Sequence, residues 1–111
     1  MAAEARLTSD FWVRAYLARL RLAAIPAFLT AKGDPTAGAV IVKVATLDGY
    51  ARAWHRSYDT DFNRVWAELI TGPDAEVEAE LVRQRAYDPD LWIVEVEDRE
   101  GRHLLDEDGL R

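Results

Sequence analysis

The stretch that decides the fold reads Ala39-Val40-Ile41-Val42-Lys43-Val44-Ala45-Thr46-Leu47-Asp48-Gly49-Tyr50-Ala51-Arg52-Ala53-Trp54-His55. Residues 39–47 are apolar and β-branched almost throughout, which favours a pleated strand over a helix. Asp48-Gly49 is a strong type I′ turn signal, because both central residues of that turn need positive φ. A two-residue turn pairs Leu47 with Tyr50; counting outward pairs Val44 with Ala53, Lys43 with Trp54 and Val42 with His55. One hairpin face then carries Val42, Val44, Thr46, Ala51, Ala53 and His55. The other, partly exposed, carries Lys43, Ala45, Arg52 and Trp54, with Lys43 able to sit on the Trp54 ring.

Upstream, Thr8-Ser9-Asp10 supplies a helix cap and an acid for the first turn, and Phe11 to Ala24 reads as a helix. At helical spacing Trp12, Val13, Tyr16, Leu17, Leu20, Ala23 and Ala24 form one apolar arc, while Phe11, Ala15, Ala18 and Leu22 form a second, nearly opposite. A helix lying on a sheet needs only one such face. Ile25 to Lys32 reads as a strand begun by Pro26, and Gly33-Asp34-Pro35-Thr36-Ala37-Gly38 as the hairpin turn that follows.

Downstream, Arg56 to Asp61 reads as a polar loop, and Phe62 to Ile70 as a third meander strand or, alternatively, a short helix. Thr71-Gly72-Pro73-Asp74 opens a second helix, with Thr71 and Asp74 at capping-box spacing. Its small apolar stripe (Ala75, Ala79, Val82, Ala86) is expected against the sheet, with Val77 and Leu81 as a separate pair. Asp88-Pro89 ends it. In the strand Leu91 to Glu97, Trp92, Val94 and Val96 share a face; Asp98 to Gly101 is a turn and Arg102 to Leu105 a candidate return strand. Residues 1–6 and 106–111 are expected to fray. The sum is a single α+β domain over 1–111: an antiparallel-dominated sheet of about four to six strands with two helices, in the order α-β-β-β-(β)-α-β-(β).

The composition agrees. The 111 residues are 50% hydrophobic, enough for one core without metal or disulfide staples. The absence of cysteine excludes a thiolate nucleophile and a Cys-based zinc site. Residues 1–58 carry eight basic side chains against four acids, residues 59–111 six against sixteen, for a net charge of −6. An acidic chain repels phosphate backbones, so no nucleic-acid partner is expected. No signal-like or membrane-spanning apolar run is present, which leads to an expected cytoplasmic location and no membrane partner.

Two segments carry a resemblance. Gly33-Asp34-Pro35-Thr36-Ala37-Gly38-Ala39 entering a strand, and Tyr87-Asp88-Pro89-Asp90-Leu91-Trp92-Ile93-Val94-Glu95-Val96-Glu97-Asp98, are similar to the DUF1491 family of small bacterial proteins. The opening Leu7-Thr8-Ser9-Asp10-Phe11-Trp12-Val13 matches that family's usual start. The resemblance implies a member spanning nearly the whole chain and carries no catalytic or binding residues with it.

Two function classes stand side by side. In the first, a non-enzymatic interaction module self-associates as a homodimer or docks to a protein partner through Phe11, Ala15, Ala18 and Leu22 on helix 1 and through Trp54 and Trp66 on the sheet. The competing class is a small metal-assisted or acid–base hydrolase centred on His55, Asp59 and Asp61, which offer one imidazole and two carboxylates within seven residues. No cofactor is implied and no dedicated metal site is assigned. The glycines of residues 33–38 are spaced like a phosphate-binding loop but lack its Lys-Ser/Thr pair and its helix. Asp106-Glu107-Asp108 is too short for a calcium loop.

Overall fold

Thr8 starts the first element as the sequence suggests: its Oγ1 accepts the Phe11 N–H at 3.3 Å, Asp10 lies in the first turn, and α1 runs Ser9–Leu22. The computed structural model describes residues 7–111, so the expectation for residues 1–6 falls outside the described residues. After α1 come β1 (Ala27–Ala31), β2 (Val40–Ala45), β3 (Tyr50–Tyr58), β4 (Arg64–Pro73), α2 (Asp74–Tyr87) and β5 (Trp92–Glu97). The strands form one sheet in the order β1-β5-β2-β3-β4, in which only β2 and β5 run parallel. The α+β class is as expected, with five strands. Of residues 62–70, expected as strand or short helix, 64–70 are strand and 62–63 belong to the preceding loop, while residues 102–105 form no strand.

The hairpin exists, but its register is one residue away from the Asp-Gly expectation. Ile41 faces His55, Val42 faces Trp54, Lys43 faces Ala53 and Val44 faces Arg52. The loop holds three residues, Leu47 to Gly49: Thr46 N–H donates to Tyr50 O at 3.2 Å, and Leu47 and Gly49 take φ of 62° and 92°. Asp48 braces it by accepting from Thr46 Oγ1 at 2.6 Å and Tyr50 N–H at 3.2 Å. A one-residue slip turns every β3 side chain over relative to β2. Trp54 therefore joins Val42 and Val44, while Ala51 and Ala53 join Ile41 and Lys43. Burial selects this register. The large ring goes to the aromatic face, and the small alanines let a helix approach the other.

The sheet is thus covered on both sides. On one face Val13, Tyr16 and Leu20 of α1 pack with Val40, Val42, Val44, Trp92, Val94 and Val96, and with Leu105 and Leu110 from the C-terminal segment. All four tryptophans belong to this cluster, since Trp12, Trp54 and Trp66 pack against it. On the other face Val77 and Leu81 of α2 pack on Ile41, Ala51, Ala53, Leu91 and Ile93. The α2 expectation is inverted: Val77 and Leu81 are buried, whereas the small stripe Ala75, Ala79, Val82 and Ala86 is exposed. No capping box forms either, for Pro73 occupies the cap and Thr71 belongs to β4, its Oγ1 donating to Ala51 O.

Two connections differ from the local reading. Residues 33–38 do not close a hairpin, because β5 lies between β1 and β2. Their glycines serve close approach instead: a Cβ on Gly33 or Gly38 would overlap the Asp90 carbonyl oxygen, just ahead of β5. Trp92 Nε1 donates to Asp34 O at 2.7 Å and locks the same crossing. The polar loop is also shorter than expected, since β3 continues through His55 to Tyr58. The C-terminal end does not fray from the fold: Leu110 is buried, and its carbonyl accepts from Arg56 at 3.0 Å and from Trp66 Nε1 at 3.0 Å.

Candidate functional site

Helix α1 is assembled so that only one of its two apolar arcs meets the sheet. Its inner arc includes Tyr16, whose hydroxyl donates to His103 O at 2.8 Å and whose burial pushes the phenol pKa up. Trp12 stacks on Tyr16 at 4.9 Å and tilts against Trp66 at 5.3 Å between ring centroids. Among the described residues the outer arc makes no ring stack of this kind. Phe11 is 59% and Leu22 87% exposed, Ala18 is exposed and Ala15 half-buried. Helix α2 lies across the sheet, and the C-terminal segment meets α1 beside this arc, where Arg19 donates to Asp108 O and pairs with Glu107.

Trp54 and Trp66, grouped with that surface in the sequence reading, are placed elsewhere. Both are half-buried on the α1 face. Trp66 lies under Leu110 and carries the Arg56 guanidinium 4.2 Å from its ring. Trp54 meets His103 edge-on at 5.0 Å and has Arg52 at 5.7 Å from the ring. Lys43 is on the opposite side of the sheet and makes no stack with it.

Of the hydrolytic candidates, His55 is a half-buried strand residue opposite Ile41 and Ala67. Asp59 opens the β3–β4 loop; its Oδ1 accepts the Asn63 and Asp61 N–H groups, each at 2.9 Å, and these bonds hold its carboxyl below the usual range. Asp61 is exposed at the loop's tip. Among the described residues no three His, Asp or Glu side chains gather as a metal-holding group.

Two polar constellations escaped the sequence reading. A cleft of about 280 Å³ opens beside the hairpin loop, lined by Tyr50, Arg52, Trp54, Thr71, Glu100 and His103 among others. His103 Nδ1 accepts the Leu105 N–H at 3.0 Å, and burial pushes its pKa down, so the neutral ring carries its proton on Nε2. The loop behind it is fixed by Arg102, which donates to the buried Asp98 carboxylate at 2.8 Å from both its main-chain N–H and its Nη2. The indole N–H groups of Trp54 and Trp12 find no acceptor among the described residues.

The second constellation lies under α2. Lys43, 2% exposed, sends Nζ to Glu78 at 2.5 Å, Asp74 at 2.7 Å and Glu95 at 3.6 Å. Burial alone would push the ammonium pKa down; the hydrogen bonds it donates to Asp74 and Glu78, with the charges of Glu95 and Glu78, outweigh it, and the net direction is up. Burial raises the Glu95 carboxyl despite Lys43. The lone Lys in a run of valines was the available signal, but its partners lie 31 to 52 residues away and only tertiary structure shows them.

The comparisons agree with this architecture. The family model described as "Protein of unknown function (DUF1491)" matches residues 7–106. A crystal structure of a DUF1491 family protein from Caulobacter crescentus superposes with a TM-score of 0.83 at 38% identity, covering 92% of this chain and 97% of that one. An NMR structure of a DUF1491 family protein from the same organism gives 0.80 at 38% identity over 94% and 96%. The solution structure of protein Atu0922 from A. tumefaciens gives 0.71 at 29% identity over 84% and 86%. No curated protein matches the chain.

Proposed function

This chain belongs to the DUF1491 family, and on that premise we propose that it works through protein contact, as a self-associating protein that performs no bond-making step. The observation that carries the reading is the outer arc of α1. Phe11, Ala15, Ala18 and Leu22 share one side of a helix whose other side is committed to the core, and its two large members are more than half exposed. A helix that only had to cover a sheet would carry charge on that side. Large apolar residues are exposed elsewhere too, Phe28 and Leu29 on β1, Phe62 in the β3–β4 loop and Val82 on α2.

A second copy is the occupant that fits. The outer arc carries no charge, so two copies can meet across a two-fold axis with apolar surface on both sides. A cytoplasmic setting is part of the proposal and rests on the cysteine-free composition, which suits a reducing compartment. No helix of the described residues is long and apolar enough to cross a membrane. No observation favours the hydrolytic reading centred on His55, Asp59 and Asp61.

Light scattering across a concentration series tests the proposal. A dimer mass that Ala18→Glu returns to monomer, with the fold intact by circular dichroism, is the expected result. A monomer at every concentration overturns it.

A further inference from the structure

At the hairpin end of the sheet three strands lie abreast on the α1 face. Val44 faces Arg52 and Arg52 faces Thr71, so the three side chains form a row across β2, β3 and β4 on one side. Trp54, two residues along β3, points the same way. No residue of α1 lines the space above this row. The segment after β5 walls it instead, through Glu100, Gly101 and His103, and the result is the cleft of about 280 Å³. That wall is braced from behind: Arg102 ties its loop to the Asp98 carboxylate, and the Tyr16 hydroxyl holds the His103 carbonyl. A site already held in shape loses little freedom on binding.

Three groups in the cleft keep hydrogen-bonding capacity or charge that the fold does not use. Arg52 gives Nε to Glu68 at 3.1 Å, while its two Nη nitrogens make no hydrogen bond among the described residues. His103 accepts the Leu105 N–H on Nδ1, so Nε2 carries a proton in either charge state, again with no acceptor among the described residues. These two donors flank one ring, Arg52 lying 5.7 Å and His103 5.0 Å from the Trp54 centroid. Glu100, on the opposing wall, is exposed and makes no ion pair among the described residues.

Size and charge together narrow the ligand. The volume falls just below the range of roughly 300–1,000 Å³ typical of ligand pockets, which suits one small molecule. A simple carboxylate would meet Arg52 but be opposed by Glu100; a simple amine would meet Glu100 but be opposed by Arg52. A zwitterion satisfies both. We propose that the cleft binds a free α-amino acid with an apolar side chain, its carboxylate on Arg52 and His103, its ammonium on Glu100, and its side chain against Trp54. This site is separate from the outer arc of α1 and does not depend on self-association.

An NMR titration of the full chain with L-leucine, L-methionine and L-phenylalanine, each taken to about 10 mM, tests the assignment. The expected result is saturable shifts of the Arg52, Gly101 and His103 amides and the Trp54 indole N–H for at least one of the three, with Kd below about 1 mM. Arg52→Gln and Glu100→Gln should each weaken that binding about tenfold, since each removes one charge partner. For L-phenylalanine, 3-phenylpropionate and 2-phenylethylamine, which lack the ammonium and the carboxylate respectively, should bind about tenfold more weakly. No saturable shift with any of the three amino acids overturns the proposal. So does 3-phenylpropionate binding as tightly as L-phenylalanine, which would make the ligand a plain carboxylate, or binding that neither variant changes. If Arg52→Gln fails to fold, Glu100→Gln, in an exposed loop, still decides.

Discussion

The two faces of the sheet hold their helices by different physics. On the α1 face the cover is aromatic area: four tryptophans and Tyr16, with Leu105 and Leu110 closing the end. On the α2 face the apolar contact is small, Val77 and Leu81 on two alanines and two isoleucines, and a buried ammonium ties the helix down through Asp74 and Glu78. Burial of area is non-directional and nearly indifferent to pH. A lysine caged by three carboxylates is directional, and its worth depends on which of them carries charge. One strand, β2, serves both designs because its alternate residues look opposite ways.

That contrast can be broken most forcefully at Trp92, 1% exposed and bonded to Asp34 O. Trp92→Ala should cost about 3–5 kcal/mol in chemical denaturation, with little change in that cost between acid and neutral pH. A cost well under half of that would mean the aromatic face is not where the stability resides.

Lys43→Met is the sharper test, since it keeps the stem's volume and removes the charge. The expected loss is about 1–3 kcal/mol near neutral pH. The raised Lys43 pKa means its contribution is complete below the ordinary value of 10.5 and fades as pH climbs through the elevated one. As pH falls, Glu95, whose carboxyl is raised above its ordinary 4.5 by burial, takes up a proton and the ammonium has less to neutralise, so wild type and variant should draw together. Parallel stability curves from pH 3 to 8 would show that the cage acts as packing alone.

The smallest effect belongs to the α1 face, where one titrating group touches the aromatic cluster. His103 is held neutral, with a pKa below its ordinary 6.5, because burial disfavours the cation. As pH falls through 6.5 the unfolded chain gains a proton that the folded ring resists, so stability declines until the lowered folded value is passed. His103→Gln can still accept the Leu105 N–H and should flatten the melting-temperature profile between about pH 5 and 7. An unchanged slope would place that pH dependence elsewhere.

Much of the fold is legible along the chain. Thr8 and Asp10 announce α1, the valine run announces β2, and Trp92, Val94 and Val96 share the face that their alternation implies. Failures occur where a local signal competed with a distant one. Asp48-Gly49 argued for a two-residue turn, but seating Trp54 beside Val42 and Val44 outweighed it and lengthened the loop by one residue. Gly33 and Gly38 looked like turn glycines because their clash partner, Asp90, is more than fifty residues away. Of the candidate sites, the outer arc of α1 was readable from helical spacing, while the cleft beside the hairpin was not, since nothing local brings Glu100 and His103 to Arg52 and Trp54.

The sequence by itself determined which segments coil, which extend, and that α1 has more apolar surface than one contact needs, because these follow from the period of each element's own side chains. Only the tertiary structure decided that β5 inserts between β1 and β2, that β3 is turned over relative to the hairpin rule, and that Lys43 lies under α2. Those outcomes depend on which distant surfaces compete to leave water, a comparison that no window of neighbouring residues contains.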